Sequence, residues 1–207
     1  MEKVSYEEVR ADSDPVLRQT FINQQDLEDM APYIHKVMYE TENRDGDTCM
    51  ITMYDIIRRT YSCAQPEITV YPNAFEICKC EDEFRSFLID HEGQHAKDLV
   101  LRPDLFPSIP MILEQMRTTQ IGLLWQQTGI PSVVLHPFSC IKYLPFHRTR
   151  QRIETIIEGR AFHRQLQEIH NGKRVVSDSM YKWIFSKRET YQRIFLSLSR
   201  KGRAAKQ

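Results

Sequence analysis

His91, Glu92 and His95 stand in the stretch "FLIDHEGQHAKDLV", residues 87–100, in the order His-Glu-x-x-His. Residues four apart on an α-helix share a face, about 6 Å from one another along the axis, so both imidazoles can meet one metal ion. Glu92 is turned about 100° from His91, within reach of a water on that ion without being a ligand. The chemistry such a set performs is metal-assisted hydrolysis, with the glutamate as general base. The competing account is a pair of core histidines satisfied by hydrogen bonds. The five-residue match on a helix favours the metal, and two imidazoles favour zinc.

Zinc needs a third protein ligand and keeps a fourth position for water. Asp98 lies seven residues past His91, about 10.5 Å along a helix axis, too far for both to bind one ion. It is left as an acceptor for an imidazole N–H or as a surface acid. The segment "RQRIETIIEGRAFHRQLQEI", residues 150–169, offers more. On its wheel Glu154 and Glu158 fall in the middle of an apolar face, together with Ala161 and Gln165 and flanked by Ile157, Phe162 and Ile169. Buried carboxylates are costly unless a cation compensates them, and either zinc or an arginine of this Arg-rich half can do so. Both glutamates remain candidates on this ground.

These residues have to be positioned by helices. Phe84, Phe87, Leu88, His91, His95 and Leu99 recur at helical spacing, which predicts a helix from about Cys80 to Val100 with the histidines on its buried side. Further helices are expected at Pro15 to Gln24, Asp26 to Tyr39, Pro110 to Thr128, Pro145 to about His170 and Asp178 to Ser199. "PEITVYPNAFEIC" predicts strands on either side of a Pro72-Asn73 turn, beside the motif helix, where an edge could hold an extended substrate. "TCMITMYDIIRRTY" fits strand and helix equally. "SRKGRAAKQ" reads as a frayed basic tail. The expected fold class is α+β, mostly helical with a small sheet beside the motif helix, as one domain over 1–207. Residues 1–100 would carry the strand and motif helix, and residues 101–200 the third ligand.

"ITVYPNAFEIC" followed by "EDEFRSFLIDHEGQH", with "EGRA" far downstream, resembles the gluzincin branch of zinc metallopeptidases. The likeness is strongest to soluble versions of the heat-shock and prenyl-protein protease type. It implies a zincin-like fold, a Zn²⁺ cofactor and a peptide or protein substrate. It also implies that Glu158, with Ala161 three residues on, is the third ligand. Two positions depart from that pattern: Gln94 stands where Gly is frequent before the second His, and Phe162 where an acid or amide is frequent. Taking Glu154 as the ligand restores an acid four residues later, so the unused glutamate would support the ligands from behind. The implied mechanism has Glu92 take a proton from water and pass it to the leaving amine, while another group steadies the oxyanion. Tyr143, His147 and His136 are candidates for that donor, whereas His163 lies on the opposite side of its helix.

Composition narrows the class. No window reaches the roughly 18 apolar residues of a membrane span, and the first 25 residues hold no signal-peptide core, so a soluble cytoplasmic protein is expected. Cys49, Cys63, Cys78, Cys80 and Cys140 are odd in number and follow no framework spacing, as thiols in a reducing compartment do. Net charge is zero, but residues 1–100 hold 10 Lys/Arg against 21 Asp/Glu, and residues 101–207 hold 18 against 7. Complementary halves packed on each other, or a basic half facing an anionic partner, would give this division. Arg148, Arg150, Arg152 and the tail cations lack an aromatic platform, so nucleic-acid binding is disfavoured. A zincin-like module with a regulatory or binding role is the alternative to a peptidase.

Overall fold

The computed structural model describes the backbone at residues 3–42, 51–53, 67–102 and 139–204, and side chains there except at 51–53, 139–154 and 198–204. Two short helices open the chain. In α1 (Tyr6–Ala11), Ser5 and Glu8 cap each other reciprocally. In α2 (Pro15–Asn23), Asp14 accepts from the Val16 N–H and Pro15 occupies the first turn, where its missing N–H costs nothing. Their apolar faces bring Tyr6 and Phe21 against Phe75 and Phe84, four rings with centroids 5.1 to 6.3 Å apart. This aromatic cluster is the centre of the core.

The helix expected over Asp26 to Tyr39 is instead a 3-10 turn (Glu28–Tyr33) followed by strand β1 (Lys36–Tyr39). Pro32 lies inside the turn, and its ring obstructs a continuing α-helix. The residues after it pair with a neighbouring strand instead. The sheet has the order β1-β3-β2, with β2 at Ile51–Met53 and β3 at Glu67–Val70. β1 runs parallel to β3, with Val37 opposite Ile68, and β2 runs antiparallel to it, with Thr52 opposite Thr69. Ile68 and Val70 point into the core, and Glu67 and Thr69 alternate with them. β3 is therefore central among the described strands, and β2 packs on the motif helix. The second strand expected after Pro72 is a helix, α3 (Pro72–Ile77), because a proline at N1 is already set for the first helical turn.

The motif helix begins at Cys80 as expected. It runs through α4 (Glu81–Arg85), a π-helical turn (Ser86–Glu92) and α5 (Gly93–Leu101), with helical backbone angles at both junctions. Two long helices close on it: α6 (Ser139–His170) and α7 (Asp178–Ala204). α6 starts at Ser139, before Pro145 rather than at it. Just past its end at His170, Gly172 has a φ of 74°, which suits glycine and lets the Lys173 N–H return to the Glu168 carbonyl. α7 continues five residues past Ser199, taking in part of the stretch expected to fray. The expected helix at Pro110 to Thr128 lies outside the described residues. The fold is α+β, mostly helical with a small sheet. Among the described residues no helix is long and apolar enough to cross a membrane.

Candidate metal centre

The π turn places His91 and Glu92, and the first turn of α5 places His95. All three are buried, and the two imidazole rings stand nearly perpendicular, at 86°, with centroids 4.8 Å apart. One ligand atom from each of His91, Glu92 and His95 lies within 4.8 Å of the other two. Phe162 of α6 packs edge-on with His91, ring centroids 4.5 Å apart. π turns interrupt α-helices at a cost in hydrogen bonding and are frequent at functional sites.

Glu158 comes to the pair from α6. Its Oε2 is 3.4 Å from His91 Nε2, and its Oε1 is 3.4 Å from His95 Nε2. Those separations exceed a good N–H···O bond of about 2.7 to 3.2 Å. Each is near the separation of two neighbouring ligand atoms around a zinc ion bonded at about 2.0 to 2.1 Å, with one imidazole nitrogen facing each carboxylate oxygen. The donor set of two buried imidazoles and one carboxylate fits zinc.

Behind these atoms, Gln165 fixes the protonation of His91. Its Nε2 donates to the Ser86 carbonyl and Oγ, both at 3.2 Å, so its Oε1 is what faces His91 Nδ1 at 3.1 Å. Nδ1 must then carry the proton, leaving the Nε2 lone pair directed at Glu158. Gln165 is fully buried. His95 Nδ1 is buried and has no hydrogen-bond partner among the described residues.

Among the described residues no imidazole donates to Asp98. It is buried and receives Arg160 Nε at 2.7 Å, Arg160 Nη2 at 2.8 Å and Gln94 Nε2 at 2.8 Å. Arg160 is two residues beyond Glu158, so this clasp sets how α6 is placed along the motif helix. Gln94, the departure before the second His, serves the same clasp. Asp90, fully buried beside His91, turns to Arg174, whose Nε and Nη2 reach it at 3.1 and 3.2 Å. Burial pushes its carboxyl up to about 7 against the opposing pull of Arg174.

A cleft of about 540 Å³ opens over His91, Glu92 and Glu158. Its walls come from Phe87 and Phe162, from Ile77 at the end of α3 and Lys79 just after it, and from Met180, Trp183, Lys187 and Tyr191 of α7. Of the residues singled out by sequence, His91, Glu92, His95 and Glu158 are brought together. His163 is exposed, in keeping with its disfavoured side of the helix. The Glu154, Tyr143 and His147 side chains and all of His136 lie outside the described residues. Gln165, Arg160 and the α7 wall were not expected. Gln165's place beside Glu158 on the wheel was the available signal; the α7 residues carried none. Comparison with protein-family models, curated proteins and solved structures returns no match.

Proposed function

We propose that this chain is a zinc-dependent peptide hydrolase with a zincin-like fold of the gluzincin kind, with His91, His95 and Glu158 as ligands. The observation that carries the reading is the equal 3.4 Å spacing of one carboxylate from two imidazole nitrogens, on faces otherwise packed with apolar side chains. Zinc held there supplies a Lewis acid for the substrate carbonyl and makes a water acidic enough to react near neutral pH.

The chain's own residues do the rest. Glu92, on the cleft floor beside the ligands, accepts the proton of the attacking water and returns it to the departing amine. Gln165 keeps His91 in the tautomer that presents Nε2. Phe87 and Phe162 line the walls with apolar surface, which strengthens charge interactions there. Tyr191, on the same cleft wall, carries a hydroxyl able to donate to a developing oxyanion.

Metal analysis of the purified chain tests the ligand set. About one zinc per chain is expected, lost in Glu158→Ala and retained in Glu154→Ala; the reverse result moves the ligand role to Glu154. A wild type that holds zinc yet hydrolyses no peptide would favour the regulatory or binding module.

A further inference from the structure

The cleft carries information on what it takes in. Met180, Trp183, Lys187 and Tyr191 follow one another at three- and four-residue steps on α7, so they form one stripe along the cleft wall. Eleven residues of helix are about 16 Å long, the length of about five residues of extended chain. Trp183 is 42% exposed and Ile77 47%, although both are large apolar side chains on the wall of a cleft. One turn on from Trp183, the Lys187 ammonium lies 5.5 Å from the indole centroid. Lys79 adds a second exposed cation to the wall. Three acids also line the cleft: Glu83, bonded to Ser177 and the Lys79 N–H, Glu158 between the imidazoles, and Glu92 beside the ligands, so the exposed ammonium groups of Lys187 and Lys79 are the positive positions of its wall.

We infer that the cleft binds an extended peptide with a large apolar side chain against Trp183 and Ile77 and a carboxylate two residues away at Lys187. The spacing follows from both partners. Trp183 and Lys187 are about 6 Å apart along α7, and side chains two apart on an extended chain point the same way about 6.8 Å apart. This assignment rests on the peptide-hydrolase reading for the placement of a scissile bond over Glu92, but not for the recognition itself.

The test uses eight-residue peptides that differ only in the pair Leu-x-Asp, Leu-x-Lys or Ala-x-Asp, together with the reversed Asp-x-Leu. Hydrolysis is followed with the zinc-loaded full chain, and binding by fluorescence anisotropy with zinc-loaded Glu92→Gln. Leu-x-Asp or its reverse should exceed Leu-x-Lys by about fivefold, the range of a part-exposed ion pair. It should exceed Ala-x-Asp by about tenfold or more, the scale of lost apolar contact. Lys187→Glu should invert the first ratio while circular dichroism stays unchanged, because Lys187 is exposed. Equal binding of all four peptides, or a ratio indifferent to Lys187→Glu, overturns the assignment. If Glu92→Gln binds with the expected ranking while wild type cleaves nothing, the recognition stands and the hydrolase reading falls.

Discussion

Three side chains at the centre were legible from spacing alone, because His-Glu-x-x-His needs only one helix to bring its members together. Glu158 needed a second helix and a resemblance to choose it over Glu154. Gln165 sat on the right face but carried no motif, and Trp183 and Tyr191 reach the cleft through a packing that no local pattern encodes. Each role has its own expected failure. Glu92→Gln is nearly isosteric and leaves the ligand atoms untouched, so fold and zinc content should persist while hydrolysis falls by roughly 10² to 10⁴. Turnover of zinc-loaded wild type and variant, with a chelator control, measures this; equal rates would remove Glu92 from the mechanism. Gln165→Leu takes away the acceptor for His91 Nδ1 and should weaken zinc binding by about 10- to 100-fold in a chelator competition. Gln165→Glu restores the acceptor but sets a carboxylate oxygen against the Ser86 carbonyl, so it should recover only part of that loss. A Leu variant with wild-type affinity would show that ring orientation is fixed by packing alone.

The elements were legible where one local rule dominated and obscure where partners decided. Helices at Pro15, Cys80 and Asp178 declared themselves by caps and periodicity, whereas β1 could be recognised only by knowing that β3 lies beside it. The motif helix looked amphipathic in sequence, yet from Ser86 to Ala96 it is buried all round. Its outer face is covered by partners that neutralise it: Arg174 on Asp90, Arg160 on Asp98. A glycine follows from that enclosure. A Cβ on Gly93 would fall 2.7 Å from Met30 Cγ and 3.0 Å from Met30 Cβ, so the 3-10 turn can lie this close only against a bare backbone. Gly93→Ala gains up to about 1 kcal/mol in helix propensity but should still destabilise by about 1 to 3 kcal/mol through overpacking. Urea unfolding of Gly93→Ala with and without Met30→Ala checks this. The cost should shrink in the Met30→Ala background, and an unchanged cost would place the strain elsewhere.

Across the whole molecule, the division into an acidic and a basic half reports on packing between the halves. Asp90, Asp98, Glu28 and Asp29 from the first half meet Arg174, Arg160 and Arg164 from the second. Glu83 does similar work without a cation, accepting from the Ser177 N–H and Oγ at the head of α7 and from the Lys79 N–H. Burial raises its pKa, but those hydrogen bonds outweigh the burial and leave it below the ordinary value. A depressed folded pKa contributes stability at neutral pH that disappears as pH falls from about 4.5 through the folded value. Glu83→Gln should therefore lower the melting temperature at pH 7, and the gap from wild type should close below about pH 4. A gap that is constant with pH would mean the carboxylate is not the contributing form. The division also fixes an order of events during synthesis. The ribosome delivers Glu83, Asp90, His91, Glu92, His95 and Asp98 well before Glu158, Arg160, Gln165 and Arg174. Until α6 and α7 emerge, the motif helix has an unclasped Asp98, an unpaired Asp90 and no Glu158 between its imidazoles. A half-made chain therefore holds His91, Glu92 and His95 without the α6 and α7 residues that surround them, and the proposed metal site would be complete only once α6 and α7 have followed.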